Sequence, residues 1–93
     1  MNYFDWDKSK NTVLIKERNI SFQEIKIAVQ NHMILDDYNH PNQKNYPGQR
    51  IMAVEVSNYV YLVPYVKDGE KIFLKTIIPS RKATKKYLER RKL

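Results

Sequence analysis

The sequence predicts an α+β domain in which a short strand and two helices precede an antiparallel β meander and a basic helix. Two observations lead to this prediction. Helix-start signals occur early in the chain and again near its end, whereas the stretch between them is rich in Val, Ile, Tyr and Phe and is divided by turn formers. The chain has 93 residues and lacks repeats and Gly/Ser-rich linkers, so we expect a single domain, residues 1–93.

The N-terminal third contains a strand signal and two helix starts. Tyr3–Trp6 alternates apolar and polar residues as a short strand does, and Asp7 is placed to cap a helix over residues 8–18. Ser21 and Glu24 have the spacing of a capping box, which predicts a second helix ending near residue 30.

The central part of the chain predicts a loop followed by three strands. Residues 36–48 are dense in Asp, Asn, Pro and Gly and are expected to form an exposed loop, with at most a short strand before it at Ile34 and Leu35. The strand-like runs that follow are residues 50–56, 59–66 and 71–78. Asp68-Gly69 is a type I′ hairpin signal, and Pro64 predicts a sheet edge or a bulge. The last two runs are apolar on both faces, which favours central strands covered on each side.

The positive charge of the chain is concentrated at its C-terminal end. Residues 81–93 carry seven positive side chains against one negative, which leaves +1 of the formal +7 for the rest of the chain. Ser80 is placed to cap a helix there. This helix has like charges at i, i+4, and each such pair costs about 0.2–0.5 kcal/mol in an isolated helix. An anionic partner would remove that cost, so the pattern favours binding of a polyanion or an acidic protein over a merely solubilising tail.

Several function classes are disfavoured by composition. The chain has no cysteine, which excludes disulfides and a catalytic thiol, and no segment has the length or hydropathy of a signal peptide or a membrane span. We therefore expect a cytoplasmic protein with no membrane partner. Asp36, Asp37 and His40 match no metal-site spacing, and His32 lacks a catalytic partner at a diagnostic distance. Neither a metal nor a cofactor is predicted.

The start of the basic helix is the predicted anion site. The corner formed by Ser80, Arg81 and Lys82 combines free backbone N–H groups with positive side chains. Lys75, on the predicted strand that runs into Arg81, and Arg50, which begins the first strand of the meander, are expected to point toward the groove beside this helix. Four tyrosines are candidates for stacking on nucleic-acid bases, although packing within the sheet explains the three on strands better: Tyr59, Tyr61, Tyr65 and Tyr87.

Three segments carry a resemblance to a known family. Residues 4–11 (FDWDKSKN), 20–24 (ISFQE) and 79–86 (PSRKATKK) resemble, in this order along nearly the whole chain, the BrnT family of bacterial toxins. The middle of the chain matches in pattern only. The resemblance implies a RelE-like fold, metal-independent cleavage of mRNA by attack of the RNA 2′-hydroxyl, and growth inhibition. It also implies a cognate antitoxin, a ribbon-helix-helix DNA-binding protein, with operator DNA bound only through that partner.

By this resemblance Arg81 is the predicted phosphate clamp, with Lys75 and Arg50 as further catalytic candidates. The predicted RNA-binding residues are Lys82, Lys85, Lys86, Tyr87 and Arg90. Family members typically have an acidic residue near the position of Tyr87 and an arginine near Thr76, where this chain has Lys75. Two alternatives stay open: a non-catalytic nucleic-acid-binding module, and an interaction protein whose basic helix docks an acidic partner.

Overall fold

The computed structural model describes residues 3–89. In this range the chain forms three helices and a mixed sheet of six strands, an α+β fold. The elements in chain order are β1 (Tyr3–Trp6), α1 (Lys8–Arg18), α2 (Phe22–Gln30), β2 (Ile34–Asn39), β3 (Arg50–Val56), β4 (Tyr59–Asp68), β5 (Lys71–Leu74), β6 (Ile78–Pro79) and α3 (Arg81–Tyr87). Within residues 3–89, every helix is too short or too polar to cross a bilayer.

The helix boundaries follow the predicted caps. The Asp7 side chain accepts a hydrogen bond from the Lys10 N–H at 3.0 Å, and Asn19 ends α1 in the left-handed region with φ 54°. Ser21 and Glu24 form both bonds of the capping box at the start of α2. The predictions for these two helices are confirmed.

The sheet is a meander to which β1 is added in parallel. Its strand order is β1-β5-β4-β3-β2, with β6 also paired to β4. The strands from β2 to β5 pair antiparallel, as predicted for the meander, whereas β1 lies parallel to β5. The parallel pair is possible because α1 and α2 supply the long crossover that parallel strands need.

Two strand boundaries were predicted wrongly. The predicted loop from residue 36 begins only at residue 40, because residues 36–39 pair with β3 and this pairing outweighs their turn-forming composition. The run over residues 71–78 is interrupted after Leu74, opposite Pro64. The Pro64 carbonyl accepts a hydrogen bond from the Lys75 N–H at 2.8 Å, but the proline has no N–H to return. The predicted bulge at Pro64 thus lies on the neighbouring segment.

The two hairpin turns of the meander are of different types, and the type I′ turn predicted at Asp68-Gly69 occurs at Ser57-Asn58 instead. Ser57 and Asn58 both have positive φ, 51° and 62°, which is the type I′ pattern. In the β4–β5 hairpin, Asp68 pairs with Lys71, so the central residues are Gly69 and Glu70. Only Gly69 has positive φ, 61°, which is the type II′ pattern. The hairpin was predicted, but its turn type was wrong.

Both faces of the sheet are covered, as the apolar strands predicted. One face packs against α1 and α2 around fully buried residues that include Phe22, Ile25 and Leu74. A smaller cluster on the other face joins Ala53 and Val60 of the sheet to α3. We call these the α1/α2 face and the α3 face. Side chains alternate along each strand, so the position of a residue in its strand decides on which face of the sheet its side chain lies.

Candidate functional site

Helix α3 is fixed to the sheet by its own first turn. Ser80 caps it by accepting a hydrogen bond from the Ala83 N–H at 3.0 Å, as predicted. The Thr84 hydroxyl donates to the Ser80 carbonyl at 2.8 Å and accepts from the Val60 N–H of β4 at 2.9 Å. The backbone N–H of Ser80 in turn donates to the Val60 carbonyl at 3.0 Å. The helix therefore has a defined position on β4.

A groove lies beside α3 on the sheet. It has a volume of about 230 Å³ and is lined by Tyr38, Leu62, Ser80, Lys82, Ala83, Lys86 and Tyr87. We call it the α3 groove. Lys82 and Lys86 are one helical turn apart and both contribute to its wall, so two ammonium groups and two phenol rings surround one cavity. Such a combination suits an anionic ligand that also carries a flat ring.

Tyr87, which lines the groove, also joins α3 to β2. The Tyr87 hydroxyl donates a hydrogen bond to Asp36 Oδ2 at 2.5 Å. This bond, with help from the Asp37 N–H and the charge of Lys86, lowers the pKa of Asp36 below its ordinary value. The same bond, together with burial and the Asp36 charge, raises the pKa of Tyr87 to about 12. At neutral pH Asp36 is therefore ionised and Tyr87 is a neutral hydrogen-bond donor.

Two further features shape the groove electrostatics. Lys86 Nζ lies 5.1 Å from the centre of the Tyr87 ring, within cation–π range. Burial, and to a lesser extent the charge of Asp36, raises the pKa of Tyr38. Both phenols of the groove thus keep their protons near neutrality.

The structure brings three of the predicted residues together and leaves others apart. Lys82, Lys86 and Tyr87 line the α3 groove. Arg81 and Lys85 are exposed on the same helix but outside the lining. Arg90 lies outside the described residues.

Arg50 is not beside the α3 groove, and that expectation was wrong. Its guanidinium forms an ion pair with Asp37 at 3.1 Å and also bonds Asn39 Oδ1 at 2.5 Å and the Tyr65 hydroxyl at 3.3 Å. Tyr65 belongs to the α1/α2 face. The hydrogen bonds that Arg50 donates to Tyr65 and Asp37 raise the pKa of Arg50 above its ordinary value. Strand alternation places Arg50 on the face opposite α3.

Lys75 also lies away from the groove. It follows β5 in the interrupted segment, and its Nζ lies 5.5 Å from the centre of the Phe73 ring. The groove lining does not include it. Its sequence position before Arg81 suggested proximity, but the bulge opposite Pro64 and strand β6 separate the two residues.

The other candidates are distributed over the molecule. Tyr65 Oη donates to the Asp37 carboxylate at 2.7 Å on the α1/α2 face, and Tyr59 and Tyr61 pack edge to face at 5.5 Å between ring centres. His40 stacks on Tyr46 in the loop after β2, with ring centres 4.4 Å apart. Residues 3–89 contain no group of three potential metal-ligating side chains.

A larger cavity, about 340 Å³, lies on the α1/α2 face. Its lining is mostly apolar, with Asp37, Tyr65 and Lys67 as the polar members. Asp37 and Tyr65 are bonded to each other and to Arg50. Within residues 3–89, the lining contains one cation, the exposed Lys67. This cavity is therefore a poorer anion site than the α3 groove, despite its size.

Asp36 and Tyr38 are the groove residues that the sequence interpretation missed. They are two positions apart on β2 and therefore share a face. That spacing was visible in the sequence, but the surrounding Asn, Asp and Pro residues indicated a loop. The signal becomes readable only when residues 34–39 are taken as one strand.

Comparisons with known proteins add no relative. No family model matches the chain, and neither a curated protein nor a solved structure is found to be similar to it.

Proposed function

We propose that this chain is the toxin of a type II toxin–antitoxin system, a metal-independent endoribonuclease of the BrnT family with a RelE-like fold, which cleaves mRNA and so inhibits growth. The observation that carries the proposal is the α3 groove, where Lys82 and Lys86 of the segment resembling that family border one cavity with Tyr38 and Tyr87. The binding of a phosphate between the two lysines would offset their mutual repulsion.

The chemistry we propose needs no metal. The 2′-hydroxyl of the RNA attacks the adjacent phosphorus, the bond to the 5′-oxygen of the next nucleotide breaks, and a 2′,3′-cyclic phosphate and a 5′-hydroxyl end result. The 2′-proton leaves to a base and the 5′-oxygen receives a proton. Arg81 clamps the phosphate, and Lys82 and Lys86 stabilise the extra negative charge that develops on it. Lys85 extends this basic surface for RNA association, and Arg90, which lies outside the described residues, is proposed from the sequence to contribute to RNA binding.

Tyr87 is proposed to act through its ring. A phenol with a pKa of about 12 stays protonated at neutral pH and does not serve as the base. Its one hydroxyl proton is donated to Asp36, and this bond holds the ring at the border of the groove, where it can orient the RNA.

Expression of the chain without an antitoxin tests the proposal. Growth arrest and mRNA with new 5′-hydroxyl ends are expected, and Arg81→Ala should abolish both while circular dichroism shows an intact fold. The matched control is Lys16→Ala, an exposed cation on α1 at the other face. Normal growth with intact RNA and folded protein contradicts the proposal. Full toxicity of Arg81→Ala contradicts the assignment of that residue.

The proposed partner is a cognate antitoxin, a ribbon-helix-helix protein through which the complex would bind operator DNA. The basic surface of α3 supports a contact with an acidic segment of such a partner. Co-expression with the product of the adjacent gene should give a complex and restore growth. If that product neither co-purifies nor neutralises, the partner assignment fails.

The second candidate is a non-catalytic RNA-binding module that uses the same groove. It is favoured by the two groove phenols, whose raised pKa values keep them protonated near neutrality, so that neither serves as a base. This candidate predicts RNA binding that weakens with salt and no cleavage on long incubation. Product analysis on a denaturing gel distinguishes it from the toxin.

A further inference from the structure

Phe73 is an aromatic residue of the sheet that belongs to neither apolar core. It lies on β5 opposite Val66, and its ring is half-buried. Its neighbours Ile72 and Leu74 pack into the α1/α2 core. Because side chains alternate along a strand, Phe73 lies on the α3 face, the same side of the sheet as the α3 groove.

Two lysines flank this ring. Lys75 Nζ lies 5.5 Å and Lys71 Nζ 5.9 Å from the ring centre. Lys71 also approaches Asp5 Oδ2 at 3.8 Å. Lys75 has no acidic partner within salt-bridge distance in the part of the chain that the structure describes. We call Phe73, Lys71 and Lys75 the Phe73 platform.

The platform lies within a short distance of the groove. Leu62 lines the groove, and Val66 is four residues further along β4, or about 13 Å at the rise of a strand. Phe73 is one strand away from Val66, about 5 Å in the pairing direction. A single nucleic-acid strand bound in the groove therefore reaches the platform within a few nucleotides.

We propose that the Phe73 platform is a second RNA subsite, where the ring stacks on one unpaired base while Lys71 and Lys75 contact the flanking phosphates. The proposal rests on the proposed function for the identity of the ligand. A half-buried aromatic ring with a cation on each side matches the alternation of flat bases and phosphates along single-stranded RNA. It also gives Lys75 a role in holding RNA rather than in the chemistry at Arg81.

Binding to non-cleavable RNA tests the subsite separately from catalysis. The probes are 2′-O-methyl oligonucleotides of about eight and about three nucleotides, since small single-strand-binding folds cover four or more nucleotides. The longer probe carries 2-aminopurine, whose fluorescence falls when the base stacks. The variants are Phe73→Leu, which keeps an apolar side chain, and Lys75→Gln. Tyr46→Leu, an exposed aromatic in the loop after β2, and Lys16→Gln are the matched controls.

We expect Phe73→Leu to bind the longer probe about tenfold more weakly than the unsubstituted chain, to bind the shorter one equally, and to lose the 2-aminopurine quenching. Lys75→Gln should lower the salt dependence of the longer probe by about 0.7 in the log–log slope, the value for one phosphate on a single strand. Both controls should behave like the unsubstituted chain.

If folded Phe73→Leu binds the longer probe and quenches its fluorescence as the unsubstituted chain does, the proposed subsite is wrong. The two lysines then merely pack over the ring and do not mark an RNA site. If that variant is unfolded, the slope of Lys75→Gln decides: a decrease supports the subsite and an unchanged slope overturns it. If neither probe binds the unsubstituted chain, the proposed function is wrong, and the proposed subsite is wrong as well. If the shorter probe binds and the longer one gains nothing, only the subsite fails.

Discussion

The salt dependence of RNA binding gives a quantitative test of the basic helix. Helix α3 carries four cations, Arg81, Lys82, Lys85 and Lys86. If each neutralises one phosphate of a single strand, they contribute about −2.8 to the slope of log affinity against log salt, at about −0.7 per phosphate. Raising salt fourfold then weakens binding by about 50-fold through these contacts. Lys82→Gln with Lys86→Gln should leave about −1.4, or about sevenfold.

The assay is fluorescence anisotropy with the 2′-O-methyl RNA of about eight nucleotides, which offers more than four phosphates, at four or more salt concentrations; any contribution of the Phe73 platform to the slope is the same in all these variants. The control is the double variant Lys8→Gln with Lys16→Gln, which removes the same charge from α1 on the opposite face. A slope that falls equally in both double variants would refute the reasoning, because net charge and not the α3 groove would then govern binding. An unchanged slope in the groove variant refutes it as well.

Three further predictions concern the scaffold. Asn11→Ala should lower the free energy of unfolding by about 1–3 kcal/mol, because the side chain of buried Asn11 accepts a hydrogen bond from the Phe22 N–H at 2.8 Å. Urea titration measures this, and a stability equal to that of the unsubstituted chain contradicts it. Gly69→Ala should cost about 1–2 kcal/mol, since φ is 61° there although no atom lies within 4 Å of an added Cβ; thermal unfolding measures it. The difference in free energy of unfolding between the unsubstituted chain and Tyr87→Phe should be constant from about pH 4 to 10. It should shrink as pH rises toward 12, because the pKa of Tyr87 is raised, and below pH 3.8, because the pKa of Asp36 is lowered. A difference that does not change with pH contradicts this prediction.

The predictable parts of this fold are those decided by residues close in sequence. The caps at Asp7, Ser21 and Ser80 each accept a hydrogen bond from a backbone N–H three residues away, so their geometry depends on a few consecutive residues. The turn at Gly69 was found for the same reason. Its type was not, because the type depends on which residues pair across the hairpin.

The other errors involve partners distant in sequence. Residues 36–39 look like a loop until β3 pairs with them, and the run after Leu74 looks continuous until Pro64 faces it. Arg50 was assigned to the wrong face because register is not visible in a single strand. The bond between Asp36 and Tyr87 joins residues 51 positions apart, and no local pattern indicates it. The site was therefore located to a helix, but its cavity could not be outlined.

The Asp36–Tyr87 bond also bears on why the chain tolerates like charges along α3. Lys82 and Lys86 repel each other across one turn, yet both border the groove and do not turn away from it. The ionised Asp36 attracts Lys86 and anchors Tyr87, which places a negative charge at the groove wall in the absence of RNA. A bound phosphate would compete with Asp36 for Lys86. We therefore expect Asp36 to moderate phosphate affinity while it fixes the helix, so Asp36→Asn should bind RNA more tightly, as anisotropy would measure, and unfold more easily. Weaker binding by folded Asp36→Asn would show instead that the helix position matters more than the charge.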